Sequence, residues 1–153
     1  MILSATYEKI DAFAKSSFRL DDSKTKLKLS FSGNGTYLFN STDGNKSYVL
    51  MASLPSDDTK NLSMEKAALK MFFVLKKMRY TDVKVISKRA TKVNGYKAYE
   101  LLGQASNYKN EKEYVFIQLV KRRKVRVQFR GLQNGGDFNQ KIFTELINTI
   151  RFK

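Results

Sequence analysis

VKVISKRATKVNGYKAYELLGQ, residues 83–104, contains the reading on which the fold turns. Asn94-Gly95 sits between two runs rich in β-branched and aromatic residues. Asn and Gly both tolerate the left-handed backbone of a two-residue turn, and that turn's twist matches the twist of paired strands. An Asn-Gly flanked by such runs is therefore the strongest short-range signal for a β-hairpin. It predicts one strand over Val83–Lys92 and a second over Tyr96–Gln104.

Downstream the pattern continues as a meander. A polar loop is expected over Ser106–Lys112. Tyr114–Val120 is apolar at successive positions, as a central strand covered on both faces should be. Lys121-Arg122-Arg123-Lys124 reads as the next turn. In the strand after it, Val125, Val127 and Phe129 alternate with Arg126, Gln128 and Arg130, a period-2 pattern. Gly131–Gly136 reads as a loop. Asp137 and Gln140 then have capping-box spacing, opening a helix that buries Phe138, Ile142, Phe143, Leu146 and Ile147. Ile150-Arg151-Phe152 closes the chain as a short extended segment.

Upstream of the hairpin, Ala68, Met71, Phe72, Leu75 and Met78 recur at three- and four-residue spacing. They predict a helix over Ser63–Arg79 with Ser63 as N-cap and Glu65 at the positive end of its dipole. Before it, Lys26–Phe31 alternates strictly, and Tyr37–Phe39 and Tyr48–Leu54 read as two further strands around the Ser41–Asn45 turn. Tyr7, Ile10, Phe13 and Ala14 share one helical face, predicting a short amphipathic helix over residues 6–14. The expected fold class is α+β, an antiparallel β-sheet of about six or seven strands flanked by α-helices. It forms one domain over residues 1–153, with residues 1–20 an amphipathic segment packed on it.

Two stretches carry a family resemblance. Val93-Asn94-Gly95-Tyr96-Lys97-Ala98-Tyr99 resembles the "inGlpay" hairpin of the PsbP-like superfamily. Leu146-Ile147-Asn148-Thr149-Ile150-Arg151-Phe152 is similar to that superfamily's closing "i-x-S-i-r-f" segment. The superfamily takes in the photosystem PsbP proteins, the Ran-binding Mog protein and DcrB-like bacterial proteins. The resemblance runs over about residues 20–153, through element order more than through particular residues. It implies an antiparallel sheet with α-helices on both faces and a binding or assembly role without catalysis, and it carries no active site over to this chain. The superfamily's usual early Pro and Trp are absent here.

Composition narrows function independently. The 153 residues include no Cys and no His. Thiolate chemistry, disulfides, His-ligated metal sites and His-dependent catalytic triads are thereby excluded. No enzyme, cofactor or metal is expected. Neither Gly33-Asn34-Gly35 nor Gly135-Gly136 completes a phosphate-loop pattern, and Asp21-Asp22 and Asp57-Asp58 lack calcium-loop spacing. No window approaches the roughly 18 apolar residues of a spanning helix. The compartment is expected to be the cytoplasm if Met1 is the native start, or the periplasm or cell envelope if a leader was removed.

Charge supplies the functional expectation. Net charge is +15, from 29 Lys and Arg against 14 Asp and Glu, and residues 81–153 hold 16 of the cations and 6 of the acids. In an up-and-down meander alternate turns lie at the same end of the sheet. The Asn94-Gly95 turn should therefore neighbour the Lys121–Lys124 turn. That gathers Lys92, Lys97, Lys121, Arg122, Arg123 and Lys124, with Lys88, Arg89 and Arg126 further down the strands, into an anion-binding rim. The expected partner is an acidic protein. A nonspecific nucleic-acid or anionic-polymer binder is the alternative, with Tyr96, Tyr99, Tyr108, Tyr114 and Phe116 as possible stacking groups. A structural subunit with incidental charge is another, its cationic turns guarding against edge-to-edge aggregation. Oligomeric state is not encoded in any pattern found.

Overall fold

At Asn94 and Gly95 the backbone takes φ values of 51° and 82°, and Val93 pairs with Tyr96 across the turn. Among the described residues the hairpin belongs to a mainly β architecture with two α-helices. The computed structural model describes residues 11–153. In chain order they form β1 (Phe18–Arg19), β2 (Lys28–Gly33), β3 (Thr36–Asp43), β4 (Lys46–Ser53), α1 (Met64–Phe73) with a 3₁₀ turn (Val74–Met78), and β5 (Thr81–Val93). There follow β6 (Tyr96–Ser106), β7 (Lys112–Arg122), β8 (Val125–Asn134), α2 (Gln140–Ile147) and β9 (Arg151–Phe152). One antiparallel sheet runs in the order β2-β3-β4-β8-β7-β6-β5, and β1 pairs with β9 in a separate two-stranded ribbon. After β4 the chain passes through α1 to the far edge, then meanders back to close beside β4.

The side-chain period of two separates the interior into two apolar clusters. Tyr99 and Leu101 of β6 and Val115, Ile117 and Leu119 of β7 join Ala67, Ala68, Phe72 and Leu75 of the α1 segment. The intervening residues, Ala98 on β6 and Phe116 and Val120 on β7, join Ile142, Phe143, Leu146 and Ile147 of α2. β7 is the buried central strand its apolar run predicts. The apolar ribbon end joins the α2 cluster through Phe18, and Phe13 stacks on Tyr37 with ring centroids 4.2 Å apart.

Four local expectations are corrected. The Ser63–Arg79 helix is α-helical only to Phe73; the next turn is 3₁₀ and ends at Arg79 with φ 66°. The tighter winding sends Leu75 inward and leaves Met78, expected in the buried stripe, 52% exposed. Ser63 is the N-cap, accepting from the Lys66 N–H. The Gly131–Gly136 loop is shorter than expected, because β8 runs on to Asn134. A Cβ on Gly131 would stand 2.8 Å from the Phe143 ring, so the glycine is there to let α2 approach the strand. Finally, Asn139, not Asp137, precedes α2, and its side chain makes no cap bond. The buried Gln133 carboxamide performs that task, with Oε1 accepting the Asn139 N–H at 2.8 Å. Of the expected N-terminal helix, residues 6–10 lie outside the described residues, and residues 12–15 form a turn.

Candidate functional site

Register fixes the geometry of the end of the sheet where both cationic turns occur. Lys92 pairs with Lys97, Lys97 with Lys121, and Lys121 with Arg126. Directly opposed residues of antiparallel strands project to the same side, with Cβ atoms about 5 Å apart. Four cations therefore cross β5, β6, β7 and β8 in one row. Beyond the row, Arg122 pairs with Val125 and closes the tight turn at Arg123-Lys124. Arg123 sits there with φ 55°, a left-handed conformation that a residue with a Cβ adopts at a cost.

The nine predicted cations divide into two groups. Lys92, Lys97, Lys121, Arg123 and Lys124 are exposed and Arg122 is half-buried. None of the six is in an ion pair among the described residues. The other three are engaged internally. Lys88 lies 3.4 Å from Glu65. Arg89 donates to Glu100 at 2.7 Å. Arg126 is buried, with its guanidinium donating to the carbonyls of Thr59 at 2.6 Å and Leu62 at 2.8 Å. Those three are structural ties. Arg126 pins the loop before α1 to the sheet, and burial pushes its pKa down.

The carboxylate that α1 brings to Tyr99 on β6 is also spoken for. Glu65, in the first turn of α1, accepts from Tyr99 Oη at 2.9 Å. That hydrogen bond, and then Lys88, holds its carboxyl below the usual range. Burial first, and Glu65 second, push Tyr99 up to about 12. The row thus keeps its charge uncompensated where it meets solvent. Such an array suits multivalent carboxylates or phosphates. Of the proposed stacking groups, Tyr99 and Phe116 are buried and Tyr96 and Tyr114 half-buried. Tyr96 packs edge-on against Phe152, and Tyr108 is 76% exposed, on the loop between β6 and β7. Among the described residues no cluster of three or more acidic side chains could hold a metal ion.

A second feature was not anticipated. Between α1 and strands β4 and β8 lies a cleft of ≈ 400 Å³ with Gln128 and Arg130 in its lining. Its signal was the alternation of Arg126, Gln128 and Arg130, three polar side chains on one side of a strand that α1 does not cover.

No protein-family model matches the sequence, and no curated protein matches it. Solved structures do. The chain is similar to the cyanobacterial PsbP protein CyanoP of Synechocystis sp. PCC 6803 at 11% identity and a TM-score of 0.54, covering 97% of this chain and 99% of that one. It is similar to the Ran-binding protein Mog1p of Saccharomyces cerevisiae at 8% identity and 0.53, covering 90% and 86%. It is similar to LpqN, involved in cell envelope biogenesis of Mycobacterium tuberculosis, at 14% identity and 0.51, covering 87% and 82%. At these identities the likeness is one of fold, and the fold is PsbP-like.

Proposed function

We propose that this chain, built on the PsbP-like fold, is a non-enzymatic binding or assembly protein that docks an acidic partner through the cationic end of its sheet. In this reading α1 and α2 cover opposite faces of the sheet. The contact surface is then the end where strands turn, with Lys92, Lys97, Lys121, Arg122, Arg123 and Lys124 as its cations.

The observation that carries the reading is the row Lys92–Lys97–Lys121–Arg126. Like charges directly opposed across strands are destabilising, and this chain bears three such oppositions in succession. Lys88 and Arg89, four and three residues before Lys92 on β5, are each given an acidic partner. A fold that pairs those cations, and turns Arg126 inward onto the Thr59 and Leu62 carbonyls, but leaves Lys92, Lys97 and Lys121 open bears a cost that an external anion would remove. The Ran-binding function named for Mog1p is an instance of protein recognition on the same fold, and it identifies no partner for this chain.

The test is a binding measurement on a purified partner captured from a lysate of the source organism. Replacing Arg122 and Arg123 by Glu should weaken that interaction at least tenfold, with the thermal unfolding midpoint preserved. Unchanged affinity would sink the proposal. A single-stranded oligonucleotide bound in parallel, without sequence preference and with a steep salt dependence, would move the assignment to an anionic polymer instead.

A further inference from the structure

The cleft beside α1 is built differently from the cationic end and shares no residue with the six cations proposed for docking. Its floor comes from the sheet, where Met51 on β4 pairs with Arg130 on β8. Met71, Phe73 and Val74 form the helical wall, with Phe73 and Val74 38% and 37% exposed, and Lys77 stands at its margin. Helix α1 packs over β6 and β7, so this side of β4 and β8 is left open. The volume of ≈ 400 Å³ falls within the range of about 300–1,000 Å³ common for small-molecule sites.

The polar groups in this apolar setting are unbalanced. Arg130 is half-buried, and its side chain makes no hydrogen bond or ion pair among the described residues. Burial lowers its pKa against an opposing pull from Tyr80. Next along the strand on the same side, Gln128 buries Oε1 without a hydrogen-bond partner. Lys70 is 3.6 Å from Asp58, whereas Lys77 has no ion pair among the described residues. The cleft thus holds Arg130, Lys70 and Lys77 against a single carboxylate. A partly desolvated guanidinium without a partner is costly, and a carboxylate delivered to it in a bidentate pair would offset that cost.

We infer that this cleft binds a small anionic amphiphile, a single carboxylate on an unbranched apolar chain, with the carboxylate on Arg130 and the chain along Met51, Met71, Phe73 and Val74. Gln128 lines the cleft two residues before Arg130 on the same strand, its Nε2 being a donor of the kind a carboxylate oxygen accepts, and Lys77 supplies the surrounding positive field. Methionine lines both the floor (Met51) and the helical wall (Met71), and its flexible thioether chain adapts to an unbranched alkyl group.

The experiment is a calorimetric titration of the full chain with sodium decanoate below its micelle concentration, paired with decanol, which has the same chain and no charge. Decanoate should bind saturably at one site, and decanol at least tenfold more weakly. Backbone amide shifts should change at Met51, Phe73, Val74 and Arg130. Arg130→Gln should weaken decanoate at least tenfold while leaving decanol unchanged. Absence of saturation, equal affinities for the two probes, or shifts confined to other parts of the chain would overturn the inference. If Arg130→Gln does not fold, the exposed variant Lys77→Glu decides: at least threefold weaker decanoate binding supports the site, and unchanged binding overturns it.

Discussion

Gly103 of β6 lies against the ring of Phe72 in α1, so closely that a Cβ on the glycine would stand 2.3 Å from the ring's Cζ. The contact sets how near α1 can approach the sheet. Phe72 is fully buried between Leu101, Val115 and its own helix, so the ring cannot swing into solvent. Gly103→Ala should destabilise the fold by about 1–3 kcal/mol, the usual range for overpacking. Combining it with Phe72→Leu should recover part of the loss in urea unfolding. Additive losses would mean that the two residues are not in contact.

The Gln133 carboxamide is fully buried and makes three hydrogen bonds in one turn of chain. Nε2 donates to Gly135 O at 2.9 Å and Asp137 O at 2.7 Å, and Oε1 accepts from the Asn139 N–H. It therefore holds the β8–α2 connection in place of a side-chain cap. Gln133→Leu should cost about 1–3 kcal/mol for the buried groups left unpaired. Hydrogen exchange should quicken first in Gln140–Ile147. Exchange accelerated uniformly over the whole chain would contradict a local capping role.

These two contacts also mark where sequence reading stops. The meander from Val83 to Arg130 is legible because local chemistry decides it: an Asn-Gly turn, period-2 alternation and one continuous apolar strand. Gly131-Leu132-Gln133-Asn134 has the composition of a loop. It becomes strand because it pairs with Ser47–Leu50 of β4 on one side and Glu113–Phe116 of β7 on the other, and no local pattern announces those partners. The cationic end shows the same division. That Lys97 and Lys121 meet follows from meander geometry alone. That Arg126 turns inward depends on the carbonyls of Thr59 and Leu62, more than sixty residues earlier in the chain.

Two tyrosines should titrate late. Burial, and then hydrogen bonding to Glu113 at 2.7 Å, pushes Tyr80 up to about 12; Tyr99 reaches about 12 by burial and its bond to Glu65. A folded-state pKa above the unfolded value of about 10 means that the native state binds these protons more tightly. Their stabilisation is complete below pH 10 and falls away as pH rises from about 10 to 12. Absorbance titration near 295 nm should show a phase near pH 12 that shrinks in Tyr80→Phe and again in Tyr80→Phe/Tyr99→Phe. A phase that both variants leave intact would contradict the two hydrogen bonds.

Lys97 offers the sharpest separation of stability from binding. It is flanked by Lys92 on one side and Lys121 on the other, and an exposed like-charge opposition costs about 0.2–1 kcal/mol. Lys97→Gln removes two oppositions at once, so the variant should unfold at higher denaturant than the parent chain. The gain should be largest at low ionic strength and should fade at 1 M salt, where the Debye length is about 3 Å. Lys88→Gln is the matched control, since it removes a cation that Glu65 already neutralises, and it should bring no gain. If the cationic end is a docking surface, Lys97→Gln should also weaken the acidic partner, making the variant better folded and worse at binding. A loss of stability in Lys97→Gln at low salt would mean that the row is already compensated within the protein, and the argument for an external anion would fall with it.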